Sequence, residues 1–293
     1  IDIDYYSFEI TAEMKIIKGV ARKLWLDYGL LVDVNTILSK GKSYCNDEIY
    51  ELVIKALDYY ENIESVVTIH DSVDNPTGIY KYLLSKAEKY GKIHKKNIQQ
   101  DPNGPEILRF DHYEPYNKDR YWFIIIDHIA LVGSESGKNT KDLIDDLSNY
   151  LVRLRNNFGT TDIIIQQLNF DIGNDERIRA GRLTPTLRDV GDSRYTVRNS
   201  ECIIALFSPF RYNLREFHGY NINRLEDSFR NCEILIQRNG EAGINIGLNF
   251  IGAAGTFREL PTAKEMTDAH YNAASNYINT NVKYKKNDKG IYV

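Results

Sequence analysis

A short, unbroken apolar run that ends in an acid is the feature that most constrains how this chain folds. Six bulky apolar residues, Tyr121 to Ile126, are followed directly by Asp127. Such a run predicts a strand buried on both faces, as in the middle of a parallel sheet. Ligands of these sheets bind beyond the carboxyl ends of the strands, where Asp127 lies. A buried carboxylate there needs a metal, a positive charge or several hydrogen-bond donors, unless it only caps the following turn.

Further strands and helices alternate along the chain on both sides of this run. Strands are predicted near residues 3–8, 65–70, 162–167 and 202–206, and amphipathic helices separate most of them. We expect these four strands and the 121–126 strand to lie side by side in one sheet. The pattern therefore predicts an α/β fold, with a largely parallel twisted sheet and helices on both faces. Residues 233–237 and 244–251 predict a β-hairpin toward the C-terminus.

The 293 residues are enough for one large or two small domains. We expect one core over residues 1–260, interrupted by a polar insertion at about 91–120. The insertion is expected to form a small hairpin, and an interaction surface is the alternative. Residues 261–293 are polar and are expected to be a tail, with a short helix near 263–274.

Composition excludes several classes of protein. No stretch approaches the ~18 consecutive apolar residues of a membrane span, so no membrane association is expected. The three cysteines are widely spaced, which favours neither a disulfide framework nor a zinc site and fits a cytoplasmic location. A net charge of −4 gives no global basic field for nucleic acid. Six arginines between Asp171 and Arg198 nevertheless form a local basic segment, which suits phosphate contact or a solvated loop equally well.

A glycine- and serine-containing loop follows Asp127 and superficially resembles a phosphate-binding P-loop. Its sequence, Ser136 to Thr140, contains the Gly-Lys pair of the motif G-x-x-x-x-G-K-[ST]. Asn139, however, occupies the Ser/Thr position, and the loop follows the acidic strand. We therefore do not assign it as the phosphate cradle.

Six short motifs occur in an order that resembles the C-terminal motor domain of DnaB-type replicative helicases, a RecA-like ATPase fold. The motifs are Tyr6 to Ile10, Ile124 to Ile129, Ile165 to Asn169, Leu187 to Gly191, Glu233 to Gly243 and Thr256 to Leu260. Each lies at a predicted strand end or loop. Together they extend the resemblance from residue 1 to about residue 260.

The resemblance implies an ATP- and Mg²⁺-dependent site. By position, Glu9 is the general base that orients the attacking water, and Asp127 holds Mg²⁺ through water. Gln167 senses the γ-phosphate. Arg238 is an arginine finger that reaches the nucleotide of a neighbouring subunit and stabilises transition-state charge.

The resemblance also implies partners and a cellular setting. Arg188, Asp189 and Gly191 lie in the loop that tracks single-stranded DNA inside a ring, where local rather than net charge matters. A finger that acts in trans needs a neighbouring subunit, and the resemblance implies a homo-hexameric ring. The expected location is the cytoplasm of a bacterium or of a phage-infected host cell.

Four departures from the family pattern bear on activity. The P-loop with its lysine is expected just before residue 1 and is missing from this chain. Ile236 stands where the family usually has a lysine, two residues before Arg238. His128 replaces the usual tyrosine, and Asp189 replaces the usual glutamate.

Three functions compete on this evidence. The first is an ATP-driven DNA translocase or helicase motor, which the acids and the glutamine at three strand ends favour. The second is a degenerate, non-hydrolysing structural or assembly module, which the missing P-loop and Ile236 favour. The third is a RecA- or KaiC-like ATPase with a different output.

Overall fold

The parallel sheet predicted around residues 121–126 is present in the computed structural model, which describes residues 1–72, 74–99, 105–191 and 193–279. These residues divide into two units. The first comprises 1–12, 64–167 and 191–199, and the second comprises 13–63, 168–190 and the described residues from 200 onward. The remainder of the predicted tail, 280–293, lies outside the described residues.

The first unit is an α/β sheet with a hairpin. Its parallel strands are β1 (Asp2–Ser7), β2 (Val67–His70), β5 (Trp122–Asp127) and β6 (Thr161–Ile165), in the order β2-β1-β5-β6. Its helices are α4 (Pro76–Tyr90), α5 (Thr140–Phe158) and the short α7 (Arg194–Asn199). β5 lies between two neighbours, as predicted, rather than at an edge.

One face of the parallel sheet packs against α4 and α5. Alternate residues of β5 are buried, and Ile124 and Ile126 are fully buried against Leu83 of α4 and Leu147 of α5. Asn75 caps α4 by accepting a hydrogen bond from the Gly78 amide, with proline at the first helical position. The apolar residues whose spacing predicted these elements therefore form this core.

The predicted insertion forms an antiparallel hairpin of β3 (Gly91–Ile98) and β4 (Ile107–Pro115). Most of its side chains are exposed or half-buried. Its aromatic residues Phe110 and Tyr113 contact the ring of Phe158 edge-on, at centroid distances of 5.8 and 5.0 Å. The expected small hairpin is therefore confirmed, and its base is anchored on the end of α5.

The second unit contains helices and an antiparallel sheet. Its helices are α1 (Ala12–Tyr28), α2 (Val34–Ile37), α3 (Asp47–Ile63), α6 (Asp175–Arg179), α8 (Ile222–Leu225) and α9 (Asp268–Asn279). Its four-stranded sheet has the order β12-β11-β10-β7, from β7 (Cys202–Phe207), β10 (Phe229–Gln237), β11 (Asn245–Ile251) and β12 (Thr256–Glu259). β8 (Glu216–Phe217) and β9 (Tyr220–Asn221) form a separate pair. The predicted C-terminal hairpin is β10–β11.

One of the five predicted parallel strands, near residues 202–206, does not belong to the parallel sheet. The strand Cys202–Phe207 pairs antiparallel with β10 and is not a member of the parallel sheet. Its apolar sequence is compatible with either direction of pairing, so hydrophobicity alone did not distinguish them. Burial alternates along the strand: Ala205 and Phe207 are buried, whereas Ile204 is 60% exposed. This alternation is typical of antiparallel sheets.

The described part of the segment after residue 260 contains α9, which overlaps the helix predicted near 263–274. Tyr271 and Ala274 of α9 are buried in the core of the second unit, with Phe229 and Leu225. The Tyr271 hydroxyl accepts a 3.1 Å hydrogen bond from the Asn221 amide. Within the described residues, no helix combines the length and apolarity that a membrane crossing requires.

A buried ionic cluster joins the elements of the first unit. The Asp4 carboxylate is fully buried and accepts hydrogen bonds from Lys86 Nζ and Trp122 Nε1, both at 2.7 Å. His70 Nε2 lies 2.9 Å from the other Asp4 oxygen. Burial alone would raise the pKa of Asp4, but these three partners outweigh it and the pKa is lowered. The cluster links β1, β2, β5 and α4.

Candidate functional site

The carboxyl ends of three neighbouring strands carry the predicted nucleotide-site residues. Ser7 pairs with Asp127 in the β1–β5 register, and the Phe8 amide donates a 2.8 Å hydrogen bond to the Asp127 carbonyl. Asp127 in turn pairs with Ile165, the last residue of β6. Glu9 and Gln167 each follow a strand end by two residues. Pairing therefore brings all three positions to the same edge of the parallel sheet.

A short turn after β1 presents Glu9. The buried Ser7 hydroxyl donates a hydrogen bond to the Ile10 carbonyl, and this closes the turn. Phe8 is buried in the core, whereas Glu9 is exposed. The alternation of an apolar anchor and an exposed acid places a carboxylate in solvent at the sheet edge. A water molecule can be polarised from such a position.

Asp127 is half-buried and has a partner that sequence reasoning missed. The Tyr5 hydroxyl donates a 2.6 Å hydrogen bond to Asp127 Oδ2. Tyr5 lies on β1 and pairs with Ile125, two residues before Asp127. The available signal was its position two residues before Ser7, which places its side chain on the same face as that of Asp127.

The donor set at this edge fits Mg²⁺ that is shared with a nucleotide. Mg²⁺ is commonly held by one or two carboxylates, with phosphates and water completing its shell. Asp127 supplies one carboxylate. Among the residues that the structure describes, no group of three or more His, Cys, Asp or Glu side chains forms a protein-only metal site. A single-carboxylate site therefore agrees with the chemistry of the residues present.

Gln167 contacts the residue that follows Asp127. Its Nε2 atom lies 3.4 Å from His128 Nε2. His128 is buried, and its Nδ1 has no hydrogen-bond partner within the described residues. Gln167 itself is exposed. A displacement of the Gln167 amide would therefore change the surroundings of the residue next to the candidate Mg²⁺ ligand.

The P-loop-like loop has a structural role. The Lys138 ammonium pairs with Glu135 at 2.6 Å and with Asp146 at 2.7 Å. Asn139 begins α5 with a capping box that it forms with Asp142. The lysine is committed to carboxylates and the asparagine to the helix start, so the loop is organised as a helix cap.

The predicted DNA loop is built around Asp189. This residue is buried, and its carboxylate forms an ion pair with Arg177 and accepts hydrogen bonds from the amide and hydroxyl of Thr186. Burial would raise the pKa of Asp189, but these donors outweigh it and the pKa is lowered. Arg188 is exposed beside it. Asp189 thus fixes the loop, and Arg188 is the neighbour with a side chain available to a ligand.

Gly191 belongs to the first unit and has a backbone that favours glycine. Its φ is +44°, and a Cβ atom there would lie 1.5 Å from the side-chain nitrogen of Gln166. The position is therefore restricted both by its backbone and by the glutamine at the end of β6.

Arg238 lies immediately after β10, outside the core. Its side chain is 50% exposed, and its Nε donates a 3.0 Å hydrogen bond to the Ser200 carbonyl. The Glu201 carboxylate is 3.8 Å away. A residue at such a turn is accessible to a neighbouring molecule. Its action as a finger stays a prediction.

Comparison with solved structures identifies the fold. A solved ATPase domain matches with a TM-score of 0.63 and 15% identity, over 89% of this chain and 75% of that chain. A DnaB-like replicative helicase, described together with its interactions with primase, matches with a TM-score of 0.61 and 15% identity. That match covers 87% of this chain and 51% of the helicase chain. The chain has the RecA-like fold of DnaB-type helicase motor domains.

The resemblance read from the six motifs is thus confirmed at the level of the fold. The chain spans about half the length of the DnaB-like helicase that it matches. Its sequence matches no family model and no curated protein at a significant level. The fold is therefore identified from the motifs at strand ends and from the structure, because overall sequence identity to the two matched structures is only 15%.

Two departures from the DnaB-type motifs have clear structural settings. Ile236 is half-buried in β10, next to an irregularity in the pairing with β7, and its partner there is Ile203. A lysine at this position would have to extend from an apolar strand pair. His128 occupies a buried position beside Gln167. Both substitutions therefore change the packing next to predicted site residues.

Proposed function

We propose that this chain is the motor part of an ATP-driven, DnaB-type translocase or helicase that acts on single-stranded DNA. The observation that carries the proposal is the strand register that brings Glu9, Asp127 and Gln167 to one edge of the parallel sheet. A general base, a metal-binding carboxylate and a polar amide at adjacent strand ends are among the groups that nucleotide hydrolysis uses.

Each residue has a defined task in the proposed reaction. The Glu9 carboxylate accepts a hydrogen bond from a water molecule and orients it toward the γ-phosphate. Bound Mg²⁺ would supply charge neutralisation for the phosphates, and Asp127 is the residue that would hold it. The Tyr5 hydroxyl keeps the Asp127 carboxylate in place. The Gln167 amide donates a hydrogen bond to a γ-phosphate oxygen and loses that bond when the γ-phosphate leaves.

Arg238 is proposed to complete the site of an adjacent subunit in a homo-hexameric ring. Among the described residues, those assigned to the sheet edge supply negative charge and an amide, and the proposal assigns the cation for the developing charge to a neighbouring subunit. The exposed guanidinium of Arg238 suits this role. Arg188 is proposed to contact the DNA backbone, with Asp189 and Gly191 shaping the loop around it.

The proposed setting follows from the proposed task. Translocation on single-stranded DNA during replication takes place in the cytoplasm of a bacterium or of an infected host cell. The contacts with DNA rest on local arginine side chains, since the net charge of −4 offers no general attraction.

The first test measures DNA-stimulated ATP hydrolysis by the full-length protein. Glu9→Gln should lower the maximal rate by about 10²–10⁴-fold, the usual contribution of a general base. Glu13→Gln is the matched control, because Glu13 is exposed nearby in the sequence and makes no predicted contact with substrate. A Glu9→Gln protein that hydrolyses ATP at the unmodified rate contradicts the assigned role.

The second test concerns action across subunits. Arg238→Ala should leave ATP binding and ring assembly intact and lower hydrolysis by about 10³–10⁵-fold. Mixing it with Glu9→Gln subunits should restore activity at interfaces that combine an intact base with an intact finger. Arg215→Ala, an exposed arginine of the same unit, is the control. A folded, assembled wild-type ring without hydrolysis would instead indicate a structural module.

A further inference from the structure

A concave surface in the second unit is lined by three arginines and two threonines. Its volume is about 880 Å³, and its lining includes Arg177, Arg182, Thr184, Thr186 and Arg188. All of these residues lie in the segment from α6 to the end of the predicted DNA loop. Local positive charge is therefore concentrated on one concavity of a chain whose net charge is −4.

Arg177 holds this concavity together from within. Its Nε donates a 3.0 Å hydrogen bond to the Arg182 carbonyl, and its Nη2 donates a 3.3 Å bond to the Thr184 carbonyl. The same guanidinium forms the ion pair with buried Asp189. One side chain thus fixes three points of the loop, at 182, 184 and 189. Its charge is compensated by Asp189.

Arg182 and Arg188 differ from Arg177 in exposure and in charge compensation. Both are exposed, and within the described part of the chain neither has an ion pair with a carboxylate. Their positions in the lining are set by the backbone that Arg177 holds. Two uncompensated guanidinium groups therefore share one preformed concavity.

The donor groups of the lining suit a phosphodiester. A guanidinium presents a planar fork of donors that matches two phosphate oxygens, and the Thr184 hydroxyl is a further donor. Leu187, which is 41% exposed at the same surface, offers apolar contact to a sugar or a base. A single-stranded nucleic acid presents both groups at each nucleotide.

We propose that this concavity binds a backbone phosphate of single-stranded DNA, with Arg182 as a second phosphate ligand beside Arg188. Arg177 and Asp189 form the internal brace that keeps the two arginines in place. The inference rests on the proposed function and adds to it a residue outside the family motif, together with a reason for burying Asp189.

The test measures binding of fluorescein-labelled oligo(dT) to the full-length protein by fluorescence anisotropy over a series of salt concentrations. Each lost phosphate contact on a single strand should reduce the magnitude of the slope of log K against log salt by about 0.7. Arg182→Ala and Arg188→Ala should each show this reduction. Arg182→Lys should retain the slope and bind more weakly, because the charge remains and the fork is lost.

Arg179→Ala is the matched control, since Arg179 is an exposed arginine of α6 that does not line the concavity. If Arg182→Ala gives the same slope as Arg179→Ala while Arg188→Ala loses a contact, the inference is overturned and the proposed function stands. If the unmodified protein does not bind oligo(dT), the proposed function itself is overturned. Competition by inorganic phosphate at low millimolar concentration would show a site for free anions and would also contradict a DNA site.

The role of the Arg177–Asp189 pair is tested separately by hydrogen exchange. Asp189→Asn should speed hydrogen exchange of the backbone amides between residues 182 and 188, because Arg177 loses its charged partner. The exchange of amides in α5 should not change. Unchanged exchange in the loop would contradict the role of the Arg177–Asp189 pair in holding the concavity.

Discussion

The hydroxyl of Tyr5 and the carboxylate of Asp127 are joined by a 2.6 Å hydrogen bond between adjacent strands. The bond lies at the sheet edge where we place the nucleotide. It restricts the Asp127 side chain before any ligand arrives, which is the arrangement expected of a preorganised site.

Tyr5→Phe removes this bond and retains the ring. Hydrogen bonds to charged groups contribute about 1.5–3 kcal/mol, and the half-exposure of Asp127 allows water to replace part of the loss. We therefore expect a decrease of about 1 kcal/mol in the free energy of unfolding, measured by urea denaturation. Tyr116→Phe, at a residue that is 74% exposed, is the control. Equal denaturation midpoints for the two variants would contradict the expectation.

The raised pKa of Asp162 predicts an unusual dependence of protein stability on pH. Burial raises its pKa to about 6, although the Thr160 hydroxyl and Arg155 act in the opposite direction. Because the folded protein holds this proton more tightly than the unfolded chain, the contribution to stability is largest below about pH 4 and is lost as the pH rises through about 6.

Asp162→Asn should therefore stabilise the protein by about 1–3 kcal/mol at about pH 7.5 and give no gain at about pH 4. Urea denaturation at the two pH values measures the difference. Asp58→Asn, at an exposed position of α3, is the matched control. A gain for Asp162→Asn that is the same at both pH values would show that ionisation of this carboxyl is not the cause.

The buried cluster around Asp4 should depend on Lys86. Lys86→Met leaves the fully buried Asp4 carboxylate without its charged partner, so we expect a loss of about 3–5 kcal/mol in the free energy of unfolding. Lys89→Met, an exposed change on the same helix, should have little effect. The double variant Asp4→Asn/Lys86→Met should lose less than the sum of the single changes, and additive losses would argue against coupling.

Gly191→Ala should combine two costs. The left-handed φ of +44° disfavours a side chain, and the new Cβ would overlap Gln166. Gly29→Ala isolates the first cost, because Gly29 has a φ of +64° and no atom within 4 Å of its Cβ position. We expect Gly29→Ala to lose about 1 kcal/mol and Gly191→Ala to lose more. The two losses, compared by thermal denaturation, should not be equal.

Local patterns predicted the elements that position the site. The apolar run before Asp127 predicted a central strand, and Pro76 predicted the first turn of a helix. Both expectations are met. These signals act within a few residues, where side-chain period and backbone geometry fix the outcome.

Long-range pairings could not be predicted in the same way. The run Cys202–Phe207 has the apolar composition of a parallel strand, but its direction depends on β10, which lies more than 20 residues later. The Tyr5–Asp127 bond and the Arg177–Asp189 pair join residues 122 and 12 positions apart. The strand period places Tyr5 on the face of Asp127 only once the β1–β5 register is known, and no local signal links Arg177 to Asp189, so the internal support of the site became visible only in three dimensions.

Helix α5 is delimited at both ends, by the capping box of Asn139 and by Gly159 in the left-handed conformation. Its 19 residues span roughly 28 Å at about 1.5 Å per residue. Local contacts thus fix the residues at which α5 begins and ends. We expect a displacement of the loop that follows Asp127 to move α5 as a unit, and with it Phe158 and the hairpin rings that contact it.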